Sequence, residues 1–355
     1  MRPIDIEKVQ SGQILGKSIF TADGRVLLRE GTALTERYLK ALREMQYGFI
    51  YVVDPRLPSI EVHDVIPEQL RQEAVLTIRR AFGDVAKGGV NLQAVSEVTS
   101  RIVESIMAND ALIIQMADLK SHDTYTFSHS VNVCVVGTIL GVQLGLDERK
   151  LKDLAMGLML HDVGKMQISE EILHKPGRLT EEEYAKMQDH ARSGFDLLRS
   201  IQSLSAHAKI VVLQHHEKYD GTGYPKGLKG NDIHLNGQIG AIADVYDALT
   251  SDRVYRKRFL PHEAIEYLMT QADRHFSLEL VTTFISAVAP YPPGTQLKVS
   301  TGETGIVTEV DMRLASRPVL TLLQDAAGKD LAQPYPVLDL RTAPSLTITK
   351  VIANA

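Results

Sequence analysis

Cysteine is nearly absent. The 355 residues hold one, Cys134, so no intrachain disulfide can form, and a reducing compartment fits the chain better than secretion. Long apolar runs are missing too. The longest, 131–142, is interrupted by Asn132, Gly137, Thr138 and Gly141 and falls short of the ~20 residues that span a bilayer. Residues 1–8 carry charges where a secretory leader needs an apolar stretch. Basic residues are in deficit, 39 Lys and Arg against 44 Asp and Glu, for a net charge of −5. That balance argues against a general nucleic-acid coat but leaves room for a local basic pocket that takes a small anion. No internal repeat or low-complexity tract stands out, and the remaining composition is that of an ordinary globular protein. The absences together predict a soluble, cytoplasmic protein with neither DNA nor a membrane as partner.

What the chain does have is histidine. Eight of its twelve (His122, His129, His161, His174, His190, His207, His215 and His216) fall within 122–216, about a quarter of the length. The organisation around them is mainly α. Residues 1–58 read as a small α+β unit: strand-like runs at 17–20 and 25–28 flank the turn signal Ala22-Asp23-Gly24, and Thr35 caps a helix bearing Tyr38, Leu39, Leu42 and Met45. Gly48 ends that helix, a β-rich run covers 49–53, and Pro55 and Pro58 mark a linker. A helical connector spans 59–119, with Val95, Val98, Ile102 and Ile106 on one face and a break at Asn109-Asp110. Residues 120–289 form an all-helical bundle, with one helix following His129, another running from 148 into His161-Asp162, and others over 181–199, 203–216, 240–251 and 262–272. Tyr291-Pro292-Pro293-Gly294 then opens a β-rich module, 290–355, with short strands at 296–300, 305–310, 319–323, 337–340 and 346–352, the pattern of a small barrel or sandwich.

Taken singly, the polar residues of the bundle are ordinary. His161-Asp162 ends an apolar helical run, where a histidine complements the helix C-terminus. His129 reads as a helix histidine with its own partner, and His190, beside Asp189 at a helical break, as a surface residue. His215-His216 at the end of an apolar helix and Asp244 inside the apolar run 239–249 fit less easily, because burying unpartnered imidazoles and carboxylates is costly. Five histidines and two aspartates are satisfied together by a di-metal centre, since imidazole with carboxylate suits iron, manganese or zinc. The segment from His215 to Pro225 adds a loop with two glycines around Thr222 and a proline-fixed exit, in which Tyr224 offers a stacking surface for a purine.

These residues form one long ordered motif: His161-Asp162, then His215-His216-Glu217 through Gly223-Tyr224-Pro225, then Asp244-Val245-Tyr246-Asp247-Ala248-Leu249-Thr250-Ser251-Asp252-Arg253. It resembles the HD-GYP family, bacterial members of the HD phosphohydrolase superfamily, over about 120–289. The resemblance implies hydrolysis of the second messenger cyclic di-GMP to linear pGpG, and onward to GMP in some members, by attack of a metal-bridging hydroxide. It implies metal ligands at His129, His161, Asp162, His190, His215, His216 and Asp244, with Asp162 bridging two divalent transition metals, iron or manganese. Lys165 matches a lysine that contacts substrate phosphate, and Arg253 and Arg256 match a basic substrate-binding segment; Asp247, one turn from Asp244, is expected to orient a ligand. Some members add a glutamate one turn before the first histidine that supports a third metal. Tyr125 stands there in this chain, which points to two metals and to pGpG as the main product.

Two other readings compete. A sensor or scaffold would keep the fold and use the Gly223-Tyr224-Pro225 loop to meet a signalling protein, but all seven ligand positions are filled. A nucleotidase acting on single nucleotides would need neither that loop nor the Asp252-Arg253 segment. A homodimer through the helical segment 65–118 is a further expectation.

Overall fold

The computed structural model describes residues 1–21, 25–45, 47–57, 64–86, 92–109, 114, 125–175, 177–251 and 258–352. The turn signal at 22–24, Pro58 and Asp110 lie outside them. The chain divides into two compact units, one built on Met1–Asp64 and Val288–Ala355, the other on Val65–Ile114 and Tyr125–Ala287.

In the first unit, β1 (Arg2–Asp5) pairs antiparallel with β4 (Phe49–Val52), and β2 (Ile19–Phe20) with β3 (Val26–Leu28). Thr35 accepts the Tyr38 N–H and so caps α1 (Glu36–Glu44), whose Leu39 and Leu42 join Ile4, Leu15 and Ile50 in a fully buried core. The C-terminal strands are β5 (Gln296–Val299), β6 (Thr304–Glu309), β7 (Val319–Gln324), β8 (Val337–Asp339) and β9 (Ile348–Ile352). They form a single antiparallel sheet in the order β8-β7-β6-β5-β9. The module is thus one sheet rather than a sandwich, with no pairing between its edge strands β8 and β9 among the described residues. Arg317 pins the segment between β8 and β9, donating to the carbonyls of Leu340, Ala343 and Leu346 at 2.8, 2.7 and 3.0 Å.

The second unit is helical. Its described elements are α2 (Glu68–Ala86), α3 (Gln93–Met107), α4 (Tyr125–Gln143), α5 (Glu148–Leu160), α6 (Glu170–Leu173), α7 (Glu181–Leu198), α8 (Ala206–Gln214), α9 (Leu235–Thr250), α10 (Pro261–Thr270) and α11 (Leu278–Ser286). A helix apolar on every side has no solvent face and belongs in the middle of a bundle. That helix is α4, buried throughout 129–141 and packed against α2, α3, α5 and α9. Several boundaries differ from the sequence reading, three of them at the histidines. α4 begins before His129, so this histidine lies in its second turn rather than ahead of it. α7 runs unbroken through Asp189 and His190, because the Thr180–Glu183 capping box secures its start and its buried side continues through His190, Ala191, Gly194 and Leu198. α8 stops at Gln214, so His215 and His216 lie just past its end. Among the described residues, no helix is long and apolar enough to cross a membrane.

Candidate metal centre

Two helix ends and three helix interiors deliver the site. α5 gives way at His161 to a tight 3-10 turn, Val163–Gln167, which carries the chain past Asp162 and Lys165. Gly164 lets this turn lie directly on the backbone of α7, since a Cβ there would collide with the His190 carbonyl. α4 contributes His129, α7 contributes His190, the end of α8 contributes His215 and His216, and α9 contributes Asp244 and Asp247 one turn apart. His129, His161, Asp162, His190 and His215 are all buried to within a few per cent of full coverage.

Two groups of donor atoms result, His129 with His161 and Asp162, and His190 with His215 and His216, each within 4.8 Å of one another. The His129 and His161 Nε2 atoms are 3.3 Å apart, and those of His190 and His215 are 3.2 Å apart. Asp162 faces both groups: its Oδ2 lies 3.3 Å from His161 Nε2 and its Oδ1 3.5 Å from His190 Nε2. Asp244 Oδ1 is 3.1 Å from His129 Nε2, and its Oδ2 is 3.9 Å from His216 Nδ1. Lys165 Nζ donates to Asp162 Oδ2 at 2.6 Å.

The far sides of the rings are fixed as well. His161 and His190 give their Nδ1 protons to the carbonyls of Leu158 and Met187, both at 2.7 Å, and His215 gives its own to Val212 at 3.0 Å. A carbonyl only accepts, and a neutral imidazole has one N–H, so the Nε2 atoms of His190 and His215 are two acceptors facing each other with no proton between them. Burial lowers both rings from the ordinary histidine range, His215 far below it, so neither supplies a second proton. Asp162 Oδ1 is also buried without a hydrogen-bond partner among the described residues. Such orphaned acceptors cost about 1–3 kcal/mol each. A cation satisfies all three at once, so the donor set fits metal ions.

Charge is divided unevenly across the centre. Burial alone would lower His129, but its bonds to Asp244 and Asp247 outweigh that and hold the ring up at about 9. Burial works to raise the carboxyls of Asp162 and Asp244, yet His161 with Lys165 and His129 with His216 keep both well below the usual carboxylate range. His216, half-buried beside His190, is pushed down by desolvation to about 3. No thiolate takes part: Cys134 is buried within α4, and burial raises its thiol to about 12.

The loop after His216 is braced from within. Buried Glu217 accepts the Lys226 and Leu228 N–H groups at 2.8 and 2.9 Å, and Gly223 sits so close to the Lys218 amide that a side chain would collide with it. Tyr224 is stacked on His216, with ring centres 4.7 Å apart and planes inclined by 28°. The seven expected ligands therefore converge, with Lys165 and Tyr224 beside them. Arg253, Arg256 and the side chain of Tyr125 lie outside the described residues. Glu217 and Asn132 escaped the sequence reading. Asn132 is nearly fully buried and donates to Asp247 Oδ1 at 2.8 Å, while Asp247 Oδ2 takes the His129 Nδ1 proton at 2.7 Å. Its place three residues after His129, on one helix face, was the available signal.

Comparison with known proteins agrees with this geometry. Residues 112–280 match the HD domain family, and 297–355 match a KOW domain associated with HD domain. A Pseudomonas aeruginosa protein named cyclic di-GMP phosphodiesterase is 34% identical over 285 residues, covering 78% of this chain and 68% of the relative. A Vibrio cholerae protein named 3'3'-cGAMP-specific phosphodiesterase 2 is 37% identical over 209 residues, covering 53% of this chain and 40% of the relative. The cyclic di-GMP phosphodiesterase response regulator RpfG of Xanthomonas campestris is 34% identical over 222 residues, covering 61% and 55%. The chain thus spans roughly half the length of the latter two. Among solved structures, an HDG"Y"P protein from Bdellovibrio bacteriovorus shares the fold, with a TM-score of 0.51 at 19% identity over 79% of this chain and 97% of that one.

Proposed function

The chain belongs to the HD-GYP family of HD-domain phosphohydrolases, and we propose that it is a metal-dependent phosphodiesterase that hydrolyses cyclic di-GMP to linear pGpG. The observation that carries this reading is the meeting of two imidazole groups on the two oxygens of one buried carboxylate, Asp162. His129, His161, Asp162 and Asp244 would hold one divalent metal, and His190, His215, His216 and Asp162 the other, with iron or manganese suited to such nitrogen and oxygen donors. When bound, the metals supply Lewis acidity, lowering the pKa of water toward neutrality and countering the phosphate charge.

The chain's own groups do the rest. Lys165, on Asp162 at the edge of the centre, adds a compact positive charge against the one that builds on phosphate in the transition state. Asp247 keeps His129 in the tautomer that turns Nε2 inward. Tyr224, held by the Glu217-braced loop, offers an aromatic wall for guanine, and Arg253 and Arg256 take phosphate by virtue of their place in the motif. The water oxygen joins phosphorus as the bond from phosphorus to one ribose oxygen breaks, that oxygen takes the proton the water gives up, and the dinucleotide ring opens. With Tyr125 in the position of a third-metal glutamate, two metals serve and pGpG accumulates.

The finer assignments belong to the same proposal. Residues 120–289 are the catalytic domain, 59–119 a connector whose helical segment 65–118 pairs with a second copy, and 1–58 and 290–355 accessory modules. The loop around Tyr224, with Thr222 and Lys226 exposed beside it, meets a signalling partner, and the reaction takes place in the cytoplasm. The test is anaerobic purification with metal analysis, then incubation with cyclic di-GMP and chromatography of the products. About two transition metals per chain with pGpG accumulating is the expected result. Bound metal without turnover, with iron and with manganese, would overturn the enzyme in favour of a sensor or scaffold.

A further inference from the structure

Behind His129 the hydrogen bonds continue out of the centre. Asp247 takes the His129 Nδ1 proton on Oδ2 and the Asn132 amide N–H on Oδ1, and Asn132 Oδ1 in turn accepts from Arg71 Nη1 at 2.6 Å. All four residues are buried: Arg71 is 8% exposed, Asn132 1%, Asp247 3% and His129 3%. Arg71 belongs to α2, which lies outside the residues matched to the HD domain. Nothing in the motif requires it.

The polarity of this chain is forced. A guanidinium only donates and a carboxylate only accepts, so the Asn132 amide between them has one satisfactory orientation, oxygen toward Arg71 and nitrogen toward Asp247. Rotating the amide by half a turn would set donor against donor and acceptor against acceptor, in a buried setting where each mismatch leaves polar atoms unpaired. Arg71 and Asp247 thus form an ion pair bridged by one amide. A buried charge is tolerated only when so compensated, and here the compensation fixes the carboxylate that orients His129.

We infer that Arg71 is a positioning residue of the metal centre, acting through Asn132 and Asp247 to hold His129 toward the metal. This rests on His129 being a ligand in the proposed phosphodiesterase. Partners one step behind a metal ligand typically change affinity or activity by 10- to 100-fold.

A double-mutant cycle tests it: Arg71→Met, Asn132→Leu and the pair, each measured for metal affinity by competition with a chelating dye, for kcat on cyclic di-GMP, and for thermal midpoint. Each single change is expected to weaken metal binding or kcat by about 10- to 100-fold. The pair should be no worse than the poorer single change, within about twofold, because both cut one chain. Arg71→Lys, which keeps charge and donor, should return part of the loss, and it carries the cycle if Arg71→Met does not fold. Arg101→Ala removes an exposed 2.6 Å pair with Glu73 on α2 and should leave all but the midpoint unchanged. Losses that multiply, or a lower midpoint with metal affinity and kcat intact, would overturn the inference and leave Arg71 a packing residue. A wild-type protein that holds metal without turnover defeats the proposed function instead, while the affinity arm still decides the role of Arg71.

Discussion

The two imidazole groups are made of like residues, and His161 of the first is backed by a local carbonyl as His190 and His215 of the second are, but His129 is not. His129 is oriented across the bundle, by an aspartate on α9 that is itself held by Asn132 of α4. His190 and His215 are oriented locally, each by a carbonyl three residues earlier, that of Met187 in α7 and that of Val212 in α8. The charge differs in parallel. Asp162, Asp244 and Asp247 stand within 4 Å of His129, whereas among the described residues the second group has Asp162 at 3.5 Å from His190 and Asp244 at 3.9 Å from His216. A divalent cation on the second group would therefore meet mostly neutral ligands, and Coulomb attraction would hold it less tightly. The contrast teaches that local helix geometry is enough to aim imidazoles, while charge has to be brought in from another part of the bundle.

The most severe way to break this comparison is to remove what the two groups share. Asp162→Ala is expected to empty both and take hydrolysis of cyclic di-GMP to background, whereas His190→Ala should leave about one metal per chain. Elemental analysis of the two proteins decides it, and retention of one metal by Asp162→Ala would show that the carboxylate serves a single group. Next in size is Lys165→Met. Loss of a charge that acts on the transition state should lower kcat by about 100-fold with metal content unchanged; a fall in metal content would make Lys165 a support for Asp162 instead.

Stepwise chelation sharpens the charge argument with a gentler perturbation. Metal should leave in two phases, the faster from the His190–His215–His216 group, and the thermal midpoint should fall in two steps as each loss withdraws binding free energy from the folded state. His190→Ala should erase the faster phase alone. A single phase would mean that the groups are held equally, whatever their carboxylates.

Much of this centre was legible because local rules wrote it. Thr35 and the spacing of Leu39 and Leu42 announce α1, the five short apolar runs after Pro290 match the five strands, and the paired histidines at helix ends announce themselves by their cost of burial. What escaped was written over long range or in polar letters. β1 is four residues with a proline, too short for alternation to register. The first turn of α4, Tyr125-Thr126-Phe127-Ser128, carries no apolar stripe, so the helix seemed to start at its histidine. Asp189-His190 looked like a break because both are polar, although the residue that follows them, Ala191, is buried in the same helix. Asn132 looked like an interruption of an apolar run and is instead a buried link in the hydrogen bonds behind His129. Arg71 had no local signal at all, since its partner lies 61 residues away.

The smallest expected effect probes whether the local backing of the second group is as self-contained as it looks. Thr180 caps α7, accepting the Glu183 N–H while Glu183 returns a bond to the Thr180 N–H, and Lys175 reaches the same carboxylate. Thr180→Ala should cost about 1 kcal/mol of stability, the usual worth of a cap. His190 sits ten residues further on, and the carbonyl that orients it belongs to Met187, more than a turn inside the helix. Fraying of the first turn should not travel that far, because each helical bond from the second turn onward is closed within the helix itself. The variant should therefore lose a few degrees of thermal midpoint and keep the metal content and turnover of the parent. If metal content falls with the midpoint, the second group depends on the whole length of α7, and the two halves of the centre are more alike than their hydrogen bonds suggest.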